Sequence, residues 1–158
     1  MDYVDMPEII RDYMVYIETI KGSSPATADI YYRDLRAFFR YMKCYKFGQI
    51  KEDEIDGADI SDLTLEQVKS ITLSDAYQYM LYCKNERGNG AKTQARKTTC
   101  IKQFYRYLAN RAHKIDKNPL EELDPPRLSK SLTKYLTLDQ SKRVLRNIDG
   151  MFKERNYA

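Results

Sequence analysis

The sequence contains no tryptophan, one histidine, three cysteines and no long apolar run. Each scarcity removes a class of function. A Ser–His–Asp or Cys–His arrangement would have to use His113. That residue sits in Arg111-Ala112-His113-Lys114, a basic helix end suited to a C-terminal or phosphate-facing role rather than general-base work. Cys44, Cys83 and Cys100 are odd in number and far apart, so with a single histidine no metal-ligand cluster can be assembled. They read as buried or half-buried thiols in a reducing compartment. Without a long apolar run there is no transmembrane helix, and the acidic start Met1-Asp2-Tyr3-Val4-Asp5 lacks the basic and apolar regions of a signal peptide. The expectation is a cytoplasmic protein. Neither GxxxxGK[ST] nor GxGxxG occurs, and no alternating apolar pattern reads as a strand. No cofactor is implied. None of the fourteen tyrosines is singled out as a nucleophile.

What the chain does have is enough length for a core, 158 residues of which 42% are hydrophobic and 12% aromatic, and a strongly segregated charge. The net charge is only +4. Residues 1–23 nevertheless carry two basic and five acidic groups, and residues 50–75 two basic and eight acidic. Residues 92–117 carry eight basic groups against Asp116 alone, and residues 127–155 eight against three. Such segregation gives the field a direction: positive segments can meet phosphate while negative ones face away.

In chain order, Pro7 to about Ile20 reads as a first helix with Ile10, Tyr13, Met14, Ile17 and Ile20 on one side, ended by Gly22. The stretch Ser24–Met42 follows at once. Ser24 suits an N-cap and Pro25 the first helical position. A helix from Pro25 to Lys46 would be about 33 Å long. Tyr31, Leu35, Phe38, Phe39 and Met42 form its apolar stripe, while Arg33, Arg36, Arg40 and Lys43 share a cationic flank. Phe47–Ser61 reads as an exposed acidic loop. Thr64…Gln67 is a capping-box pattern opening a short helix. Thr72 or Ser74 then caps a helix over Asp75–Glu86 whose apolar set is Ala76, Tyr77, Met80 and Leu81, joined by Cys83 or the stem of Lys84. A turn at Arg87-Gly88-Asn89-Gly90 leads to a helix from Lys92 to Ala112, with Ile101, Phe104, Tyr105, Leu108 and Ala112 facing inward. Lys97 projects toward the apolar side, where the end of the bundle would let it escape. Leu120–Leu123 reads as a single turn, Pro125-Pro126 as a boundary, and Thr137 as the cap of a further helix reaching about Ile148. The domains expected are 1–126, a linker over 127–136, and 137–158 as the truncated start of another domain.

Two helices therefore open with small hydroxyl or amide residues and continue with arginine and lysine. Short polar groups at helix N-termini donate to phosphates, and arginines can fork to guanine edges. The competing reading is a stand-alone helical regulator or protein-interaction module, docking through the acidic 50–75 segment.

Ala26-Thr27-Ala28-Asp29-Ile30-Tyr31-Tyr32-Arg33-Asp34-Leu35 resembles the second helix of the core-binding domain of tyrosine recombinases, the phage-integrase and Xer-type family. Thr93-Gln94-Ala95-Arg96, followed by Ile101-Lys102-Gln103-Phe104-Tyr105-Arg106-Tyr107-Leu108, resembles that domain's fourth helix. Asn118-Pro119-Leu120 through Pro126 to Leu132–Thr137 is similar to the family's link into its catalytic domain.

This resemblance covers nearly all of residues 4–148. It implies an all-α, SAM-like four-helix bundle forming one jaw of a clamp on a recombination half-site. It also implies duplex DNA and other recombinase protomers as partners. By position, Thr27, Arg33, Thr93 and Arg96 match the family's motifs. Tyr32, Arg36, Arg40, Lys92 and Gln94 are added by the way the helices face, and Lys130 and Lys134 lie in the linker that crosses the DNA backbone in this family. Tyr31 matches a family tyrosine but lies on the apolar stripe, so it is assigned to the core. Lys97 departs from a usually apolar position. The family's catalytic arginines, lysine, histidines and nucleophilic tyrosine cannot be placed on this sequence. The expectation is a chain that binds DNA without cleaving it, from a parent strand-exchange enzyme.

Overall fold

The structure, a computed structural model, describes residues 6–125. Thr137 and its helix, the linker and the onset of a further domain lie outside these residues. The described residues form helices and no strand. They are α1 (Glu8–Thr19), α2 (Pro25–Tyr45), a 3-10 turn (Glu52–Gly57), α3 (Leu65–Ser70), α4 (Leu73–Asn85) and α5 (Ala91–Asn110). The all-α expectation holds, with four long helices and the short α3.

Local chemistry sets the helix ends. The Ser24 hydroxyl accepts from Thr27 N–H at 3.1 Å, and Pro25 opens α2. Thr64 with Gln67, and Thr72 with Asp75, form reciprocal capping boxes for α3 and α4. Thr72, not Ser74, is therefore the cap. At the C-terminus of α1, Gly22 takes φ 69° and lets Ser23 N–H donate back to Ile17 C=O at 2.9 Å. The end of α5 closes in the same way, with Lys114 N–H on Leu108 C=O at 2.8 Å. There the left-handed residue is His113, at φ 53°. This histidine shapes a turn.

α2 is the central element. It packs against α1, α5 and the 3-10 turn, and its Phe38 and Tyr41 rings meet Tyr79 of α4. A path of ring contacts crosses the whole domain through Tyr41, Tyr79, Phe38, Phe39, Phe104, Tyr13, Tyr107 and Tyr16, with centroids 4.9–6.0 Å apart. Edge-to-face pairs of this kind add to the burial of the rings themselves. Each of Phe38, Phe39 and Phe104 is fully buried, so truncating one to alanine would cost about 3–5 kcal/mol.

Covering on several sides explains where helical periodicity misassigns faces. Tyr32 is buried in the core, whereas Tyr31 is half-buried at its edge. On α4 the buried set is Ala76, Tyr79, Met80 and Cys83, while Tyr77 and Leu81 are about half exposed. Ile20 is also exposed, because α1 ends at Thr19 and the chain turns away. The acidic stretch after Phe47 is not free. Ile55, Ala58 and Ile60 are buried. Lys43 leaves the cationic flank to bind it, donating to Asp59 C=O at 2.7 Å and Asp62 Oδ1 at 2.8 Å. Leu120 and Leu123 form the expected turn, both fully buried, with Asn118 Oδ1 accepting from Leu120 N–H.

Candidate nucleic-acid interface

The seam between α2 and the first half of α5 is organised by one buried carboxylate, Asp34. It follows Arg33 and precedes the core residue Leu35, and only 2% of it is exposed. Arg96 Nε donates to Asp34 Oδ2 at 3.0 Å and Arg96 Nη2 to Oδ1 at 3.0 Å, a bidentate pair. Lys97 Nζ reaches the same Oδ1 at 3.4 Å. A buried carboxylate needs such compensation, because its charge has been taken out of water. The hydrogen bonds to Asp34 hold Arg96 above the ordinary guanidinium range. Lys97 thus does not escape past the end of the bundle; it turns onto Asp34. Its side chain is 13% exposed, whereas that of Arg96 is 47% exposed.

Beside this seam lies a cleft of about 320 Å³ lined by Ala37, Arg40, Tyr79, Cys83, Arg87 and Lys97, among others. Arg40 Nε donates to Ala58 C=O at 2.7 Å, which fixes its stem against the acidic segment. Burial, and then the neighbouring charge of Arg36, lower Arg40 from its ordinary value. Arg87 is paired with Asp56 and also donates to Tyr82 Oη at 3.0 Å. Burial pushes the Cys83 thiol up, so it is a packing residue rather than a nucleophile. The local field is set by Arg40, Arg87, Arg96 and Lys97 against Asp34 and Asp56.

The other expected interface residues divide. Arg33 is exposed and held only by an i,i+4 pair to Asp29 at 3.0 Å, so it is free to swing. Arg36 lies over the Tyr32 ring at 5.3 Å from its centroid. Tyr32 is therefore a buried platform for a cation, not an outward-facing residue. Thr27 sits in the first turn of α2, its Oγ1 accepting from the Ser24 hydroxyl at 3.0 Å. Lys92 is exposed and Thr93 half-buried in the first turn of α5. Gln94 corrects the facing argument, since it is buried and its Nε2 donates to Asn89 C=O at 2.9 Å. Lys130 and Lys134 lie outside the described residues.

The sequence reading missed Asp34 and Arg87 altogether. A signal for Asp34 was present: Lys97 projects onto an apolar face, and a buried acid opposite it is one way to satisfy that charge.

The chain is 41% identical over its whole length to a tyrosine recombinase XerC of Caldanaerobacter subterraneus subsp. tengcongensis, of which it spans 45%. Along its whole length the chain is similar to tyrosine recombinases. A tyrosine recombinase XerC of Pelotomaculum thermopropionicum is 29% identical over 86% of the chain. A tyrosine recombinase XerD of Listeria monocytogenes is 26% identical over 91%. The chain spans 40% and 42% of these two, so it matches less than half the length of each recombinase relative. No family model matches the chain, and no solved structure does. Among the described residues, no helix is long and apolar enough to cross a membrane.

Proposed function

We propose that this chain is the core-binding part of a site-specific tyrosine recombinase and grips duplex DNA with α2 and the first half of α5. The observation that carries the reading is the α2–α5 seam. There a half-exposed arginine is braced on a buried carboxylate, and further cations line the adjoining cleft. Lys92, Thr93 and Thr27 sit at the helix starts, where backbone N–H groups and small hydroxyls suit phosphate oxygens. Arg33 adds exposed positive charge from α2, and Arg36 adds a cation seated on Tyr32.

In this reading the strand-cleaving chemistry is assigned to none of residues 6–125. Cleavage, rejoining and contacts to other protomers on DNA belong to the whole recombinase, working in the cytoplasm on a recombination half-site. No cofactor enters the binding step.

Fluorescence anisotropy with a labelled duplex, repeated across salt concentrations, tests the proposal. Binding should weaken steeply as salt rises, and Arg33→Ala should reduce the slope of log affinity against log salt by about one. Absence of any salt-sensitive duplex binding would sink it.

A further inference from the structure

Asp34 approaches Arg96 from the side, through Nε and Nη2. A guanidinium has five N–H donors in one plane. Asp34 takes two of them. Three remain: both on Nη1 and the second on Nη2, for which the structure records no partner among the described residues. Two of the three, one on each Nη, form the terminal edge of the group, the edge that matches the O6 and N7 acceptors of guanine in the major groove. We propose that Asp34 is a positioning residue which presents this terminal edge of Arg96 to one guanine of the target duplex. The inference rests on the DNA-binding reading above and names the base that reading would recognise.

Two further features favour a base edge over a phosphate as the occupant. Asp34 is shared by Arg96 and Lys97 and leaves the donor geometry of Arg96 intact, so what the seam adds to its remaining positive charge is a directional fork. The fork is also fixed at both ends. Asp34 lies on the central helix between buried Leu35 and the core, and Lys97 holds its Oδ1 from the next position on α5. An arginine serving only as a phosphate counter-ion gains nothing from being held so rigidly. Arg33, exposed and loosely paired to Asp29, is the contrasting case on the same helix.

The test is selection of duplexes from a randomised library by the full chain, followed by anisotropy on the enriched sequence. Wild type should enrich a motif containing one G·C pair at which Arg96→Gln loses its preference while the remaining positions are kept. Replacing that guanine by 7-deazaguanine removes only the N7 acceptor. It should weaken wild type about tenfold and leave Arg96→Gln unchanged. Asp34→Asn, with its fold checked by circular dichroism, should lose preference at the same position and no other. Loss of a scaffold alone would lower affinity evenly across all sequences. Salt-sensitive binding in which no G·C position depends on Arg96 would overturn the inference while leaving the DNA-binding reading intact. So would a deaza effect equal in wild type and Arg96→Gln, or an even loss with a salt slope reduced by about one, which would put the fork on phosphate. No duplex binding at all would remove both.

Discussion

Arg96 and Asp34, 62 residues apart in sequence, meet through two hydrogen bonds of 3.0 Å, with Lys97 closing on the same carboxylate. The pair joins the middle of α2 to the first half of α5. Removing the acid leaves two cations facing each other, one of them poorly hydrated. Asp34→Ala should therefore cost about 3 kcal/mol, the low end for breaking a buried pair, because Arg96 is half in water. Arg96→Ala leaves Asp34 with Lys97 and should cost less, about 1–2 kcal/mol. The double variant should cost less than the sum of the two. Urea denaturation of the three variants measures all of this.

Two buried tyrosines make a matched contrast. The Tyr105 hydroxyl donates to Val68 C=O at 2.8 Å, tying α5 to α3. Tyr105→Phe leaves that carbonyl with only the longer bond from Ile71 N–H, at 3.4 Å, and should cost about 1 kcal/mol. The Tyr13 hydroxyl is buried without a hydrogen-bond partner among the described residues, and burial raises its ionisation well above the ordinary phenol value. Tyr13→Phe keeps the ring contacts and removes an unsatisfied group, so it should be neutral or stabilising. Thermal melts of the two variants should move apart.

Asp75 gives the α4 N-terminus an acid dependence. Its own burial opposes ionisation, but hydrogen bonds from Lys46, Thr72 N–H and the Thr72 hydroxyl outweigh it and hold the carboxyl below its ordinary 3.8. A depressed folded-state pKa stabilises above the unfolded value and loses that contribution as pH falls through the folded one. Wild type should therefore lose more stability between pH 6 and pH 3 than Asp75→Asn does. Urea midpoints at the two pH values provide the comparison. Equal losses would show that Asp75 contributes nothing to the acid limb.

His113 closes α5 at φ 53°, a conformation that costs a residue with a Cβ about 1–2 kcal/mol relative to glycine. His113→Gly gives back part of this as extra freedom in the unfolded chain, so the net gain expected is about 0.5–1 kcal/mol. Salt-dependent DNA binding should be unchanged, since the residue shapes a turn far along α5 from Arg96.

The sequence by itself determined the helices and their ends. Ser24-Pro25, Thr64 with Gln67, Thr72 with Asp75, and Gly22 act through neighbours a few residues away, and such chemistry can be read along the chain. It also determined the segregation of charge and the family resemblance. Only the tertiary structure decided which cations remain available. Arg33, Arg36, Arg40 and Lys43 look equivalent on a helical projection. In the fold, Arg33 keeps an exposed pair with Asp29, Arg36 lies on Tyr32, Arg40 is pinned to Ala58, and Lys43 is spent on Asp59 and Asp62. The same holds for Tyr32, Gln94 and Lys97, each turned inward. A projection assumes one buried face, but α2 is covered by α1, the 3-10 turn, α4 and α5. The partners of Asp34, Arg40 and Lys43 also lie 16 to 63 residues away, beyond the reach of any local pattern.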